Sequence, residues 1–337
     1  MITQEQVRDK LEDILVPGSM RSLTKLNLVR EITLFDRKVD ITLASTALDS
    51  DAQEWLKSKV RDTAKSLPDI EHADVAFVEA RARELNDVRH VVAVMSGKGG
   101  VGKSLVAALL GIALARKGME VGILDADVTG PSIPKMFGLT GTRPNGSDTG
   151  IMPVLSKMGI SIMSINLVLE HEDDAVIWRG PLITKVIQQF WEDVLWGKLD
   201  FIIVDLPPGT ADAPLTVMQS LPVSGAVIVL TPQELAAMVV KKAIKMAKQM
   251  NVPILGVVEN MSYFTLPDSG DRLELFGKSR GKEIAEVADA PLLAQIPVEP
   301  KLAELCDKGQ IERYGSDIID NLGQDFLKAL TARKKKS

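Results

Sequence analysis

The stretch that decides how this chain is read is Gly97-Lys98-Gly99-Gly100-Val101-Gly102-Lys103-Ser104. It satisfies G-x-x-x-x-G-K-[ST], the phosphate-binding loop pattern. Glycines let the backbone turn tightly, so that several N–H groups converge on phosphate oxygens. Lys103 offers a point charge to β- and γ-phosphates, and the hydroxyl of Ser104 suits Mg²⁺. The flanks agree with this. Residues 90–95 are a short apolar run that predicts a buried strand, and residues 103–117 carry apolar side chains at helical spacing up to Gly118, a suitable C-cap. Strand, glycine loop and helix together aim a helix N-terminus at an anion. A glycine-rich turn without a ligand would leave both lysines and this context unexplained.

Outward from the loop, short apolar strands alternate with helices. The strands are expected at 90–95, 121–124, 160–165, 201–204, 226–230, 254–258 and 292–295. That alternation predicts an α/β fold, a three-layer arrangement with a mostly parallel sheet and the ligand at the carboxyl ends of the strands. Two acidic motifs fall at such ends. Asp125 and Asp127 follow the second strand, and Asp205 closes a later one before Leu206-Pro207-Pro208-Gly209. An Asp at a strand end beside a phosphate loop can hold Mg²⁺ directly or through its water, and Asp205 has the Walker B position. Such an Asp can also simply cap the next turn.

Composition narrows the class. The 337 residues are 45% hydrophobic and 25% charged, enough for roughly two domains. Lys and Arg number 40 against 45 Asp and Glu, so no nucleic-acid partner is expected. The start is polar and no run reaches the length of a membrane span, so neither a leader nor stable membrane association is expected. One cysteine, Cys306, excludes a disulfide within the chain and points to the cytoplasm.

Residues 1–82 read as a separate small α/β unit: helix, strand, turn, strand, a helix over 51–67 with Trp55, Leu56, Val60 and Ala64 on one face, and a last strand at 75–78. Residues 83–89 are expected as a linker, 90–333 as the phosphate-loop domain and 334–337 as a basic tail.

The extra lysine of the loop, Lys98, makes it the deviant Walker A form. The loop resembles that of the ATPase group containing MinD, ParA, the nitrogenase iron protein and the Mrp/ApbC proteins. The motifs Asp125-Ala126-Asp127 with Gly130-Pro131-Ser132-Ile133-Pro134, Trp178-Arg179-Gly180-Pro181, 205–212, Thr231-Pro232-Gln233 and Glu259-Asn260-Met261-Ser262-Tyr263-Phe264 are similar to those of the Mrp/ApbC branch. The first unit resembles, by element order, the domain that precedes many Mrp proteins and occurs in iron–sulfur assembly factors. The resemblance implies a slow ATPase and a homodimer in which Lys98 reaches the partner's phosphates. It implies that Asp127 orients the attacking water, Gly209 senses the γ-phosphate, Asn260 meets adenine, and Pro297 and Val298 line the base. ATP and Mg²⁺ follow as ligands, with Ser104, Asp125 and Asp205 around the metal. Apo-iron–sulfur clients or assembly factors follow as partners.

One departure bears on the cluster. The branch usually carries x-C-P-x-C-G after its Tyr-Phe pair, where this chain reads Thr265-Leu266-Pro267-Asp268-Ser269-Gly270. Leucine cannot ligate iron and serine is a poor substitute for thiolate. The first unit likewise lacks the cysteine usual after its second strand. Cys306 is left as a weak candidate ligand, its apolar surroundings fitting a buried helical position better. Two expectations follow: a cluster-transferring ATPase with its CxxC replaced, or an ATP-gated adaptor that holds no cluster. A third, membrane cycling, would need the apolar stripe of 318–330 to face lipid, which a helix closing the sheet explains more simply.

Overall fold

The computed structural model describes residues 2–127, 130–168, 180–210 and 212–334, and the chain divides into two compact units. In the first, α1 (Gln4–Leu11) opens on a capping box between Thr3 and Gln6. Strands β1 (Val29–Phe35) and β2 (Lys38–Ala44) pair antiparallel across a tight turn, with Phe35 opposite Lys38. Asp49 caps α2 (Ser50–Lys65), and β3 (His72–Val78) returns parallel to β2. Leu56, Val60 and Ala64 are buried on α2, but Trp55 is 48% exposed. It sits one residue, about 100° of helix, off their stripe.

Two boundaries differ from the sequence reading. The stretch 83–89 is no free linker: Ala82 and Leu85 are buried in α3 (Ala82–Leu85), and β4 (Asp87–Ser96) begins directly after it. The first unit also takes in Arg143–Leu155 and Gln189–Leu199, which the sequence assigned to the second domain. The cause is a shared core. Met152 and Leu195 belong to the same apolar cluster as Leu28, Val39 and Leu56. Buried Arg21 adds to this by donating to the carbonyls of Trp196 at 2.7 Å and Lys198 at 3.1 Å.

The second unit continues from β4 through α4 (Lys103–Ala115), β5 (Val121–Asp125), α5 (Ile133–Phe137) and β6 (Ser161–Ser164). It then runs through α6 (Gly180–Asp193), β7 (Lys198–Asp205), α7 (Asp212–Ser220), β8 (Gly225–Leu230) and α8 (Glu234–Gln249). Last come β9 (Ile254–Glu259), α9 (Gly281–Ala288), β10 (Leu292–Gln295), α10 (Pro300–Asp307) and α11 (Asp317–Lys334). Its strands lie in the order β10, β9, β8, β4, β7, β5, β6. The pairs β9–β10, β8–β9, β8–β4, β7–β5 and β5–β6 are all parallel. Strands β5, β8 and β9 are buried throughout, as a sheet covered on both faces requires. On α11, Ile319, Leu322 and Phe326 are buried, and the Phe326 ring meets Phe201 edge-on at 5.8 Å. The apolar stripe of this helix therefore faces the sheet. Among the described residues no helix is long and apolar enough to cross a membrane.

Candidate nucleotide site

The site forms where β4, β5 and β7 end. Gly100 and Gly102 have φ of +77° and +78°, a left-handed conformation that only glycine takes without strain. Gly102 is the N-cap of α4 and supplies no side-chain cap, so the first amides of the helix are left for an anion. A Cβ on Gly97 would lie 2.7 Å from the backbone of Val239 in α8, so this glycine is set by close approach. Ser96 closes the loop by donating its hydroxyl to the carbonyl of Lys98 at 2.9 Å.

The side chains expected to work together do meet. Lys103 is 5% exposed, and its Nζ lies 2.5 Å from Asp205 Oδ1, 3.6 Å from Asp127 Oδ2 and 3.5 Å from Ser104 Oγ. Asp125 and Asp205 are fully buried and stand opposite each other in the β5–β7 register. Burial, and then the charge of Asp205, drives the Asp125 carboxyl well above the ordinary carboxylate range. Burial also raises Asp205, against the opposing pull of Lys103 and Ser104. One buried lysine therefore stands among three buried aspartates, Asp125, Asp127 and Asp205.

Asp125 and Asp205 differ in what their oxygens do. Asp125 Oδ1 accepts from the amide of Asp127 at 3.2 Å. Its Oδ2 accepts from the amide of Ile133 at 3.3 Å and the hydroxyl of Ser164 at 3.2 Å. Asp205 Oδ2 is buried with no hydrogen-bond partner. An orphaned carboxylate oxygen beside Ser104, in a pocket short of positive charge, is what a divalent cation satisfies. The residues fit Mg²⁺, which Asp205 and Ser104 would hold. Both oxygens of Asp125, also expected beside the metal directly or through its water, accept hydrogen bonds from Asp127, Ile133 and Ser164.

The remaining predicted residues are near but differently engaged. Gly209, at φ +95°, donates its amide to the carbonyl of Ser96 at 3.2 Å, which lays its loop against the phosphate loop. Lys98 Nζ bonds Gln233 Oε1 at 2.7 Å. Asn260, expected at adenine, is 1% exposed, and its amide donates to the carbonyl of Val101 at 2.9 Å. Val298 donates its amide to Tyr263 at 2.7 Å, and both Pro297 and Val298 are half-buried. Trp178 and Arg179 lie outside the described residues, as do Val128, Thr129 and Ala211 of the quoted motifs and the 335–337 end of the basic tail. Two contributors carried no sequence signal of their own role: Ser164 and Gln233. Each is a common polar residue whose partner lies far away in the chain.

Leu266 and Ser269 sit on a small hairpin whose strands are Phe264–Thr265 and Arg272–Leu273. The turn is closed by Gly270, which is at φ +74° and donates to the Leu266 carbonyl at 2.9 Å. Cys306 lies on α10, half-buried, its thiol pushed up to about 11 by burial and then by Asp307. Among the described residues no group of three or more His, Cys, Asp or Glu is placed to hold a metal.

Residues 87–328 match the ParA family model, described as NUBPL iron-transfer P-loop NTPase. The chain belongs to this P-loop NTPase family. Residues 4–77 match a second model, iron–sulfur cluster assembly protein. The NTPase is 36% identical over 330 residues to an iron–sulfur cluster carrier protein of Aquifex aeolicus, spanning 90% of this chain and 88% of that one. It is 46% identical over 237 residues to the carrier protein of Methanocaldococcus jannaschii, spanning 70% and 82%. Among solved structures it resembles a nucleotide-binding protein of Archaeoglobus fulgidus in complex with ADP, with 47% identity and a TM-score of 0.64 over 71% of this chain and 94% of that one. MinD of Aquifex aeolicus, at 22% identity and a TM-score of 0.51 over 71% of this chain and 97% of that one, shares the fold.

Proposed function

We propose that this NTPase binds and slowly hydrolyses ATP as a homodimer in iron–sulfur cluster assembly. Its nucleotide state would govern contact with apo-protein clients or assembly factors in the cytoplasm. The observation that carries the reading is Lys103 poised between Asp205 and Asp127 at the open N-terminus of α4. When phosphate arrives, Lys103 can exchange its carboxylate partners for phosphate oxygens. That exchange releases Asp127 to accept a hydrogen bond from water and orient it for in-line attack. The amides of 99–104 then hold the β-phosphate, and the Gly209 loop, already against Ser96, is placed to respond to the γ-phosphate. Ser104 and Asp205 would hold Mg²⁺, whose charge neutralises the phosphates as the bond breaks.

For the cluster, the hairpin favours the adaptor over the carrier. It retains its turn but presents Leu266 and Ser269, and the single thiol lies on another element. The relatives named carriers support the pathway, and this chain's own side chains support a member that positions partners rather than ligating cargo. Two measurements test the proposal. Phosphate release from Mg–ATP should depend on Lys103, and a Lys103→Ala variant that binds ATP like the parent refutes the site. Anaerobic purification with iron and sulfide analysis should find a substoichiometric cluster, and a full complement returns the chain to the carriers.

A further inference from the structure

The strongest unassigned feature is a buried carboxylate that the reaction does not use. Glu259 is the last residue of β9 and is fully buried. Its Oε2 accepts from Ser262 Oγ at 2.6 Å, Ser279 Oγ at 2.7 Å and Gln295 Nε2 at 3.0 Å. Its Oε1 accepts from the backbone amide of Arg280 at 2.7 Å. Burial alone would raise the carboxyl, but these four donors outweigh it and hold Glu259 below the ordinary glutamate value. It is therefore an anion at neutral pH, and one seated on the N-terminus of α9.

The positions of the donors matter more than their number. Ser262 stands where the chain leaves the sheet for the hairpin, and Ser279 and Arg280 stand where it returns to α9. One carboxylate thus pins both ends of the excursion that carries Leu266 and Ser269. Gln295 Nε2 also lies 3.2 Å from Ser262 Oγ and 2.7 Å from Ser279 Oγ, its two hydrogens shared among the three acceptors, and it leads into Pro297 and Val298. The next residue, Asn260, is bonded to the phosphate loop through Val101. The hairpin side is tied in by Arg272, whose guanidinium stacks on Tyr263 at 4.2 Å, while Tyr263 accepts the Val298 amide at 2.7 Å. The carboxylate therefore holds both hairpin stems directly, and its chain neighbour Asn260 ties the same strand end to the phosphate loop.

We infer that Glu259 is a positioning residue that transmits nucleotide occupancy from the phosphate loop to the hairpin at 264–273. This rests on the nucleotide reading above. A loop that closes on phosphate pulls on Asn260, and the rigid Glu259 node passes that displacement to both hairpin stems instead of letting one fray.

Hydrogen–deuterium exchange of the full chain, with and without Mg²⁺ and a non-hydrolysable ATP analogue, tests it. In the parent, the analogue should slow exchange across 262–281 severalfold. In Glu259→Ala that nucleotide-dependent difference should vanish, and the Kd for the analogue should rise about tenfold. Glu259→Gln, which keeps an acceptor, should recover part of both effects, a rescue that a merely space-filling role would not give. Should Glu259→Ala fail to fold, Ser279→Ala and Gln295→Ala each remove one donor and should each lose part of the protection. A parent-like nucleotide-dependent difference in these variants overturns the coupling while leaving the nucleotide site intact. A parent that binds no analogue overturns the nucleotide site itself, and the coupling with it.

Discussion

Asn260 donates its side-chain amide to the carbonyl of Val101 at 2.9 Å, across 159 residues of chain. The bond fixes the phosphate loop to the end of β9 and sets how much room the loop has. A Cβ on Gly102 would come within 2.1 Å of Asn260 Nδ2.

Gly102→Ala should therefore fail twice. The residue sits at φ +78°, where an L side chain costs about 1–2 kcal/mol, and the added methyl would break the Asn260 bond. We expect a lower melting temperature and at least tenfold weaker nucleotide binding. Calorimetry that finds parent-like affinity would show that the loop does not need this packing.

Asp127→Ala should separate binding from chemistry. Asp127 pairs with Lys103 at 3.6 Å, and a carboxylate has no hydrogen to donate to phosphate. Nucleotide affinity should stay within a few-fold of the parent, and turnover should fall by about a hundredfold or more. Equal losses in both would remove Asp127 from the role of orienting water.

Lys98→Ala addresses the dimer. In the single chain Lys98 is held by Gln233 at 2.7 Å, so reaching a partner's phosphate requires that bond to open. A charged contact to a buried phosphate contributes about 1.5–3 kcal/mol. The variant should dimerise about ten- to a hundredfold less tightly with a non-hydrolysable analogue in analytical ultracentrifugation. A variant with parent-like association and turnover sinks the trans contact.

The hairpin prediction concerns cargo. Gly270 at φ +74° and its bond to Leu266 close a tight turn between positions 266 and 269. Leu266→Cys combined with Ser269→Cys should therefore raise bound iron sharply after anaerobic reconstitution. Parent iron should be low and quickly lost to a chelator, and Cys306→Ser should remove what remains. A double-cysteine variant that stays iron-free would mean that the loop has diverged as well as its ligands.

Cys306 itself should be a sluggish nucleophile. Burial favours the neutral thiol and moves its pKa to about 11, so the thiolate is scarce at pH 8. Alkylation by iodoacetamide should be slow there and quicken about tenfold per pH unit until the pH approaches 11. A pH–rate midpoint near the ordinary thiol value of about 8.5 would contradict the burial argument.

Much of this protein could be read along the chain because the relevant signals are local. The phosphate loop is eight consecutive residues, and Asp125 and Asp205 each end an apolar run, so strand, loop and carboxylate share one short window. The alternation of apolar strands and amphipathic helices likewise carried the parallel α/β class, because a strand buried on both faces leaves a continuous apolar signature. Tertiary structure alone decided how the two aspartates differ. Both look alike in sequence, yet Asp127 engages one oxygen of Asp125 and Ile133 and Ser164 the other, while one oxygen of Asp205 stays unpaired. The recruitment of Arg143–Leu155 and Gln189–Leu199 to the first unit was equally invisible, since it depends on Met152 and Leu195 joining a core built mostly from the first 85 residues. The same holds for Asn260 turned to Val101 and for Glu259 joining Ser262, Ser279, Arg280 and Gln295. A hydrogen bond between side chains distant in sequence leaves no periodic trace, because its geometry exists only once the strands have come together in the sheet.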